Sequence, residues 1–280
     1  MKRDQGSIEG IRDGGDPRSN GTAGASEGDD APSRRRVLEL GGAALAGAAL
    51  GAWVGPVPAP AMGWRKWFGQ KAAEETMAQP GTVKAVKGMA FAGERPLAVG
   101  DPVHSGDVVR VSGQGQVVIT LADRSIFTIS GNTTLEVVLE RMGEGLLRLI
   151  SGTLLAAVPS GNRMVVVGPV AAIGIKGTVF FREVLEPGRV MAEGPMGPVK
   201  LPEGAKDYFC TCHGETEFMP ARGQPPFLTD RGIYHSAHFL DARRPGVVHK
   251  APMLDHSDQQ IRDLVALQDG PQHDLSWLRH

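Results

Sequence analysis

Gln116-Val117-Val118-Ile119-Thr120-Leu121 decides the fold class. Val117, Ile119 and Leu121 alternate with Gln116, Val118 and Thr120, the period of a strand with one better-buried face. Working outward, runs rich in Val, Ile, Leu and Thr recur roughly every ten residues, a spacing typical of all-β sandwiches and barrels. They are Asp107–Val111, Ser125–Ile129, Thr134–Leu139, Leu146–Ile150, Thr153–Val158, Met164–Val167 and Thr178–Val184, separated by Gly, Asp, Ser or Pro. The expectation is an all-β domain over residues 81–200.

Composition agrees. The 280 residues suit one to two domains. Apolar residues make up 41%, enough for a core, while 38 Gly and 20 Pro disfavour a helical bundle. With 30 basic against 31 acidic residues the formal charge is −1, so no bulk positive field exists to hold nucleic acid. Two cysteines are too few for a disulfide scaffold.

Residues 1–36 have no aromatic residue and only Ile8 and Ile11 as bulky aliphatics, too little apolar surface to offset chain entropy, so they are expected to be disordered. They end in Ser33-Arg34-Arg35-Arg36-Val37-Leu38, followed by the uncharged run Leu40–Val54 and by Ala59-Pro60-Ala61. A basic region, an apolar region and a small-residue cleavage site in that order make an export signal over 37–61. Ser33, Arg34, Arg35, Val37 and Leu38 resemble the twin-arginine motif, from which Glu39 departs. Cleavage near Ala61 is expected, with an uncleaved inner-membrane anchor as the alternative. Either way the chain beyond about residue 62 lies outside the cytoplasm. Over 62–80, Trp64-Arg65-Lys66-Trp67-Phe68 fits either a membrane interface or a short helix to about Met77.

The β-rich zone carries further punctuation: Val99-Gly100-Asp101, Ser105-Gly106-Asp107-Val108-Val109, Leu121-Ala122-Asp123-Arg124-Ser125, Ile150-Ser151-Gly152 and Ala171-Ala172-Ile173-Gly174-Ile175-Lys176-Gly177-Thr178. In this order they resemble the FecR domain, the periplasmic module of ferric-citrate-type regulators, over about residues 81–200. Gly174, Lys176, Gly177 and Thr178 form the most specific part. The resemblance implies a sandwich- or jelly-roll-like β-domain, with a β-solenoid-like one as the alternative. It also implies a role in signalling or binding across the envelope. Residues 1–36 are too short and polar for the family's cytoplasmic sigma-factor-binding module, so a stand-alone exported member is expected. Residue chemistry points away from catalysis here: His104 is the only histidine in the zone, and Glu136, Glu140 and Glu144 sit around a hairpin.

Beyond residue 200 the composition shifts. Seven of eight histidines and both cysteines lie in this extension. In Tyr208-Phe209-Cys210-Thr211-Cys212-His213 a strand would put Tyr208, Cys210 and Cys212 on one face. Thiolates and imidazoles are zinc ligands, and a tetrahedral site needs four. Cys210 and Cys212 supply two. His235 and His238, three apart, would supply the others from one helical turn, with His213, His249 and His256 in reserve. Zinc or iron is the metal expected. The alternatives are two buried small hydrophobes, or a thiol redox pair. The Cys-x-Cys-His spacing is one residue short of haem attachment. Residues 220–250 read as loop. Ser257-Asp258-Gln259-Gln260 reads as a capping box, opening a helix with Ile261, Leu264, Val265 and Gln268 on one stripe and ending at Gly270-Pro271.

The functional expectation is a non-catalytic periplasmic protein that binds or signals to a periplasmic or envelope protein. Rival readings are a metal- or iron-responsive sensor using the extension, a thiol redox protein, and an envelope structural or polysaccharide-contacting module.

Overall fold

The computed structural model describes residues 79–141, 144–220, 227–270 and 273–278. The polar amino terminus, the export signal with Arg34 and Arg35, and Trp64–Phe68 lie outside them. The strands are β1 (Gly81–Lys87), β2 (Ala90–Ala92), β3 (Arg95–Pro96), β4 (Pro102–Val103), β5 (Val108–Val111), β6 (Gln116–Thr120), β7 (Ile126–Arg141) and β8 (Glu144–Ala157). They continue as β9 (Arg163–Val167), β10 (Ala171–Val184), β11 (Met191–Gly194), β12 (Gly197–Lys200), β13 (Ala205–Pro220), β14 (Leu228–Gly232), β15 (Ser236–Asp241) and β16 (Val248–Ala251). One helix, α1 (Asp258–Ala266), follows. The described residues are all-β with a short carboxy-terminal helix. No helix among the described residues is long and apolar enough to cross a membrane.

Fourteen strands form one sheet, ordered β16-β15-β13-β10-β9-β8-β7-β5-β2-β3, with β6 carrying β1 and β4 beside β7, and β14 beside β13. β11 and β12 make a separate hairpin. The sheet does not close into a barrel: its path ends at β16 and β3. Among the described strands only β8 and β9 run parallel, so this sheet is not a solenoid of parallel coils.

Runs that look separate in the sequence are halves of long strands that change partner at a bulge. The first half of β7 pairs with β6 and the second with β5. Likewise β10 pairs first with β9, then with β8. β13 pairs with β15 before Gly214 and with β14 after it. An extra residue at a bulge swaps the two faces of everything downstream. In β10, Ile173 and Ile175 face the main core before the bulge, and Phe180 does so after it. In β13 the same swap runs from Phe209 to Phe218. Gly177 (φ 57°) and Gly214 (φ 116°) supply left-handed backbone where these strands turn.

The quoted motif belongs to this hinge. A Cβ on Gly177 would lie 2.9 Å from the Ser160 Cα. Thr178 Oγ1 donates to the Lys176 carbonyl at 3.0 Å and the Glu215 carbonyl at 2.8 Å, tying β10 to β13 across the bulge. Lys176 reaches Glu215 and Glu217 on β13, and Gly174 sits in register between Val165 and Glu217.

Residues 220–250, expected to be loop, carry β14, β15 and β16. β14 and β16 are short and largely polar, and Pro245 falls in the β15–β16 turn, so in the sequence the proline-rich composition outweighs the strand signal, although β15 itself is buried on both sides. The sheet therefore runs on beyond residue 200. Its inner face closes on one large core that includes Val117, Ile119, Leu147, Phe180 and Phe209. The outer face around Tyr208, Cys210 and Cys212 is covered by Leu254, Leu278 and the Ile261, Leu264 and Val265 stripe of α1.

Candidate metal centre

Strand alternation puts Tyr208, Cys210 and Cys212 on the outer face of β13, while Phe209 enters the main core. Both cysteines are free and fully buried. Their Sγ atoms lie 3.9 Å apart, against about 2.05 Å in a disulfide.

Two further elements bring histidines onto this face. His235 sits in the turn before β15 in the left-handed region (φ 46°), its N–H donating to the Cys212 carbonyl at 3.0 Å. That anchor points its ring at the thiols, with Nδ1 3.6 Å from Cys210 Sγ. His256 arrives from the segment ahead of α1. Tyr208 holds that segment down: its hydroxyl donates to the Pro252 carbonyl at 3.0 Å and accepts from the Leu254 N–H at 2.9 Å. The His256 ring stacks on Phe181 at 4.5 Å and places Nε2 3.4 Å from Cys212 Sγ. The four ligand atoms of Cys210, Cys212, His235 and His256 all lie within 4.8 Å of one another.

A tetrahedral zinc ion with bonds of about 2.3 Å to sulfur and about 2.05 Å to nitrogen has S···S, S···N and N···N edges of about 3.8, 3.6 and 3.3 Å. The corresponding separations are 3.9 Å between the sulfurs, 3.6 and 3.4 Å from sulfur to nitrogen, and 3.2 Å between His235 Nδ1 and His256 Nε2.

The remaining hydrogen bonds fix the tautomers. His235 Nε2 lies 2.8 Å from Asp258 Oδ1, and His256 Nδ1 lies 2.6 Å from the Leu254 carbonyl. A carbonyl and a carboxylate only accept, so these nitrogens carry the protons. In the neutral rings the lone pairs of His235 Nδ1 and His256 Nε2 then face each other and the two sulfurs. Imidazole ligands backed by a carboxylate or a carbonyl are the usual outer arrangement of a metal site. Asp258 also accepts from the Tyr234 hydroxyl at 3.1 Å and occupies the first turn of α1, capped by Ser257 through the Gln260 N–H.

Burial by itself raises both thiols. For Cys210 the hydrogen bonds from Cys212 and, when the metal-free imidazoles carry a second proton, from His235 and His256 outweigh it and hold the thiol well below its ordinary range. For Cys212, burial and the adjacent Cys210 push it well above. Burial lowers His235, but Cys210 and Asp258 overcome this and raise it. Trp277 closes the outer side, its ring 6.0 Å from that of His235.

Three of the four sequence-proposed ligands converge. His238 does not: residues 236–241 form a strand, not a helical turn, so His238 alternates to the opposite face from Ala237 and Phe239. There it packs edge-on to Phe218, 4.0 Å from Asp230. His213 turns away at the β13 bulge and stacks on Trp277 at 4.9 Å. The fourth corner is His256. Its position directly ahead of the Ser257 capping box was the available signal, since a residue there is delivered to a fixed point by the helix start.

Two crystal structures of a candidate anti-sigma factor from Parabacteroides distasonis, at 1.65 and 2.50 Å resolution, each align with a TM-score of 0.38 at 11% identity, over 52% of this chain and 59% of theirs. This chain thus spans little more than half the length of those proteins. No curated protein matches it. Residues 107–200, which run from β5 to the end of β12 and stop short of all four ligands, match the model of the family described as FecR protein.

Proposed function

We propose that this chain is a non-catalytic regulatory module of the FecR type, acting in signal transduction outside the cytoplasm, and that its carboxy-terminal part is stapled to the sheet by a zinc ion. The observation that carries the metal reading is the agreement of four donor–donor separations with the edges of one tetrahedron. Two thiolates and two imidazoles from the protein complete a closed zinc site, with no position left for substrate. This supports a structural ion rather than a hydrolytic one. The ion would tie the start of α1 to β13 and to the turn between β14 and β15, two strands already paired with β13. The regulatory reading is supported by the family match over residues 107–200. Export is supported by the order of Arg34, Arg35, the apolar run and Ala61. The partner is then a periplasmic or envelope protein.

The test is elemental analysis of protein purified without an affinity tag. About one equivalent of zinc is expected. Less than about a tenth of an equivalent after reconstitution under reducing conditions is incompatible with the tight binding of structural zinc sites. Iron in its place would keep the centre and change its metal. Periplasmic accumulation that is unaffected by Arg34→Lys together with Arg35→Lys would overturn the export reading.

A further inference from the structure

A groove of about 330 Å³ lies between α1 and the outer face of the sheet, floored by residues of β1, β6, β7 and β8 and walled by α1. Its apolar surface comes from Ala85, Val118 and Leu155 on the strands and from Leu264 and Leu267 on the helix. Leu267 is 42% exposed, a large apolar side chain left on the rim. The volume is at the lower end for small-molecule pockets and suits one aromatic ring rather than a length of chain. Gln116, Ser130 and Gln260 stand among the apolar groups. The best match is therefore a ring with an apolar body and one polar atom, as an indole has.

The groove is also acidic. Asp255 and Asp263 line it, and no lysine or arginine does. The Asp263 carboxylate accepts from the neutral Gln259 amide at 2.7 Å, which leaves its charge in place. At the other end Arg189 answers two carboxylates at once, Glu183 at 2.5 Å and Asp255 at 3.0 Å. A complementary occupant carries cations beside its aromatic ring.

The amino-terminal chain leads to this place. β4 pairs only with Gly81 and Thr82, so among the described strands β1 is the sheet edge at Ala85. Lys84 bridges to Asp269, just past α1, at 2.6 Å. The residues before 79 lie outside the described ones, and their chain enters the sheet at β1. Trp67 and Gly81 are 14 residues apart, about 46 Å of extended chain or about 21 Å of helix. Ala85 is about 13 Å along β1 from Gly81, so the groove is within reach either way. Trp64-Arg65-Lys66-Trp67-Phe68 brings two indoles around two cations. We propose that this segment docks in the groove, one indole against Val118 and Leu155 and the basic pair against Asp255 and Asp263. Docked, it closes the groove to any partner of the same chemistry, which must displace it. The docking applies to cleaved and uncleaved chains alike, because residues 64–68 follow Ala61, and it does not rest on the zinc reading.

The test is acrylamide quenching of tryptophan fluorescence in the full chain. Trp64 and Trp67 should be shielded. Asp263 is exposed on α1, so Asp263→Lys leaves the core intact. It should lower the docked-to-free ratio about 3- to 10-fold, the worth of an exposed attraction turned into a repulsion, and so raise quenching. Trp64→Phe together with Trp67→Phe should remove that rise. On an Arg65→Glu, Lys66→Glu background Asp263→Lys should lower quenching instead. Equal quenching before and after Asp263→Lys overturns the docking. A rise that keeps its sign on the glutamate background assigns the effect to α1 itself and also overturns it. Trp64 and Trp67 that are quenched freely in solution, and shielded only on adding phosphatidylglycerol vesicles, overturn it in favour of a segment seated on the membrane.

Discussion

His256 Nε2 lies 3.2 Å from His235 Nδ1, although 21 residues separate them in the chain. With the protons of both rings committed to Leu254 and Asp258, two lone pairs oppose each other beside two sulfurs. That arrangement is repulsive until a cation fills it: a proton in the metal-free protein, a metal ion in the loaded one. The four donors come from three elements, so the cation's effect is tertiary as well as local.

Single substitutions at the ligands should therefore act alike. Cys210→Ser, Cys212→Ser and His256→Asn should each abolish stoichiometric zinc and lower the melting temperature. His238→Asn should keep the full equivalent, because its ring sits on the other face of β15. Zinc retention by the His256 variant, or loss by the His238 variant, would reassign the fourth corner.

Asp258 is a positioning residue. Asp258→Asn keeps the size and polarity of the side chain but removes the carboxylate that orients His235. Competition with a chelator should show zinc affinity lowered about 10- to 100-fold, the usual effect of losing an outer-shell partner. Little change in the far-ultraviolet circular dichroism spectrum is expected.

Much of this was legible in the sequence, for identifiable reasons. The Gln116–Leu121 alternation is a two-residue period, which survives any sheet geometry, so the all-β class follows from it. Tyr208, Cys210 and Cys212 share a face for the same reason. The Ser257 cap is local chemistry and appears where the capping box puts it. The bulges at Gly177 and Gly214 were not legible as strand continuations: a glycine beside a polar residue reads as a turn, and only pairing to a neighbour keeps the strand going. The capping box marks His256 as held at a helix start, but not that this start docks beside the thiols, which depends on Tyr208 pinning residues 252–254, a contact across 44 and 46 residues of chain.

Among the described residues Arg182 is the largest fully buried side chain. It forms a paired salt bridge with Asp207 and donates to the carbonyls of Val166 and Ala171 at 2.6 and 2.8 Å. Asp207→Ala strands this charge and should cost about 3–5 kcal/mol of unfolding free energy in denaturant titration. Gly168→Ala should also destabilise, because its Cβ would fall 2.0 Å from Arg182 Nη2. The overpacking scale is about 1–3 kcal/mol. A cost near zero for Asp207→Ala would contradict the burial of this pair.

Glu183 should make stability depend on pH. Burial, together with the nearby Asp255 carboxylate, raises it to about 7 despite Arg189 between them. An acid with a raised folded value binds more protons folded than unfolded. Its contribution is therefore present below the unfolded value near 4.5 and is lost as pH rises towards 7. Glu183→Gln should flatten the fall in stability across that window. An unchanged pH profile in the variant would assign the fall to other groups.

X-ray absorption at the zinc edge of the loaded full chain tests the central claim most directly. The account predicts a first shell of two sulfurs at about 2.3 Å and two nitrogens at about 2.0–2.1 Å, lost with the metal in Cys212→Ser. A first shell of oxygen and nitrogen alone, unchanged in Cys212→Ser, would contradict it.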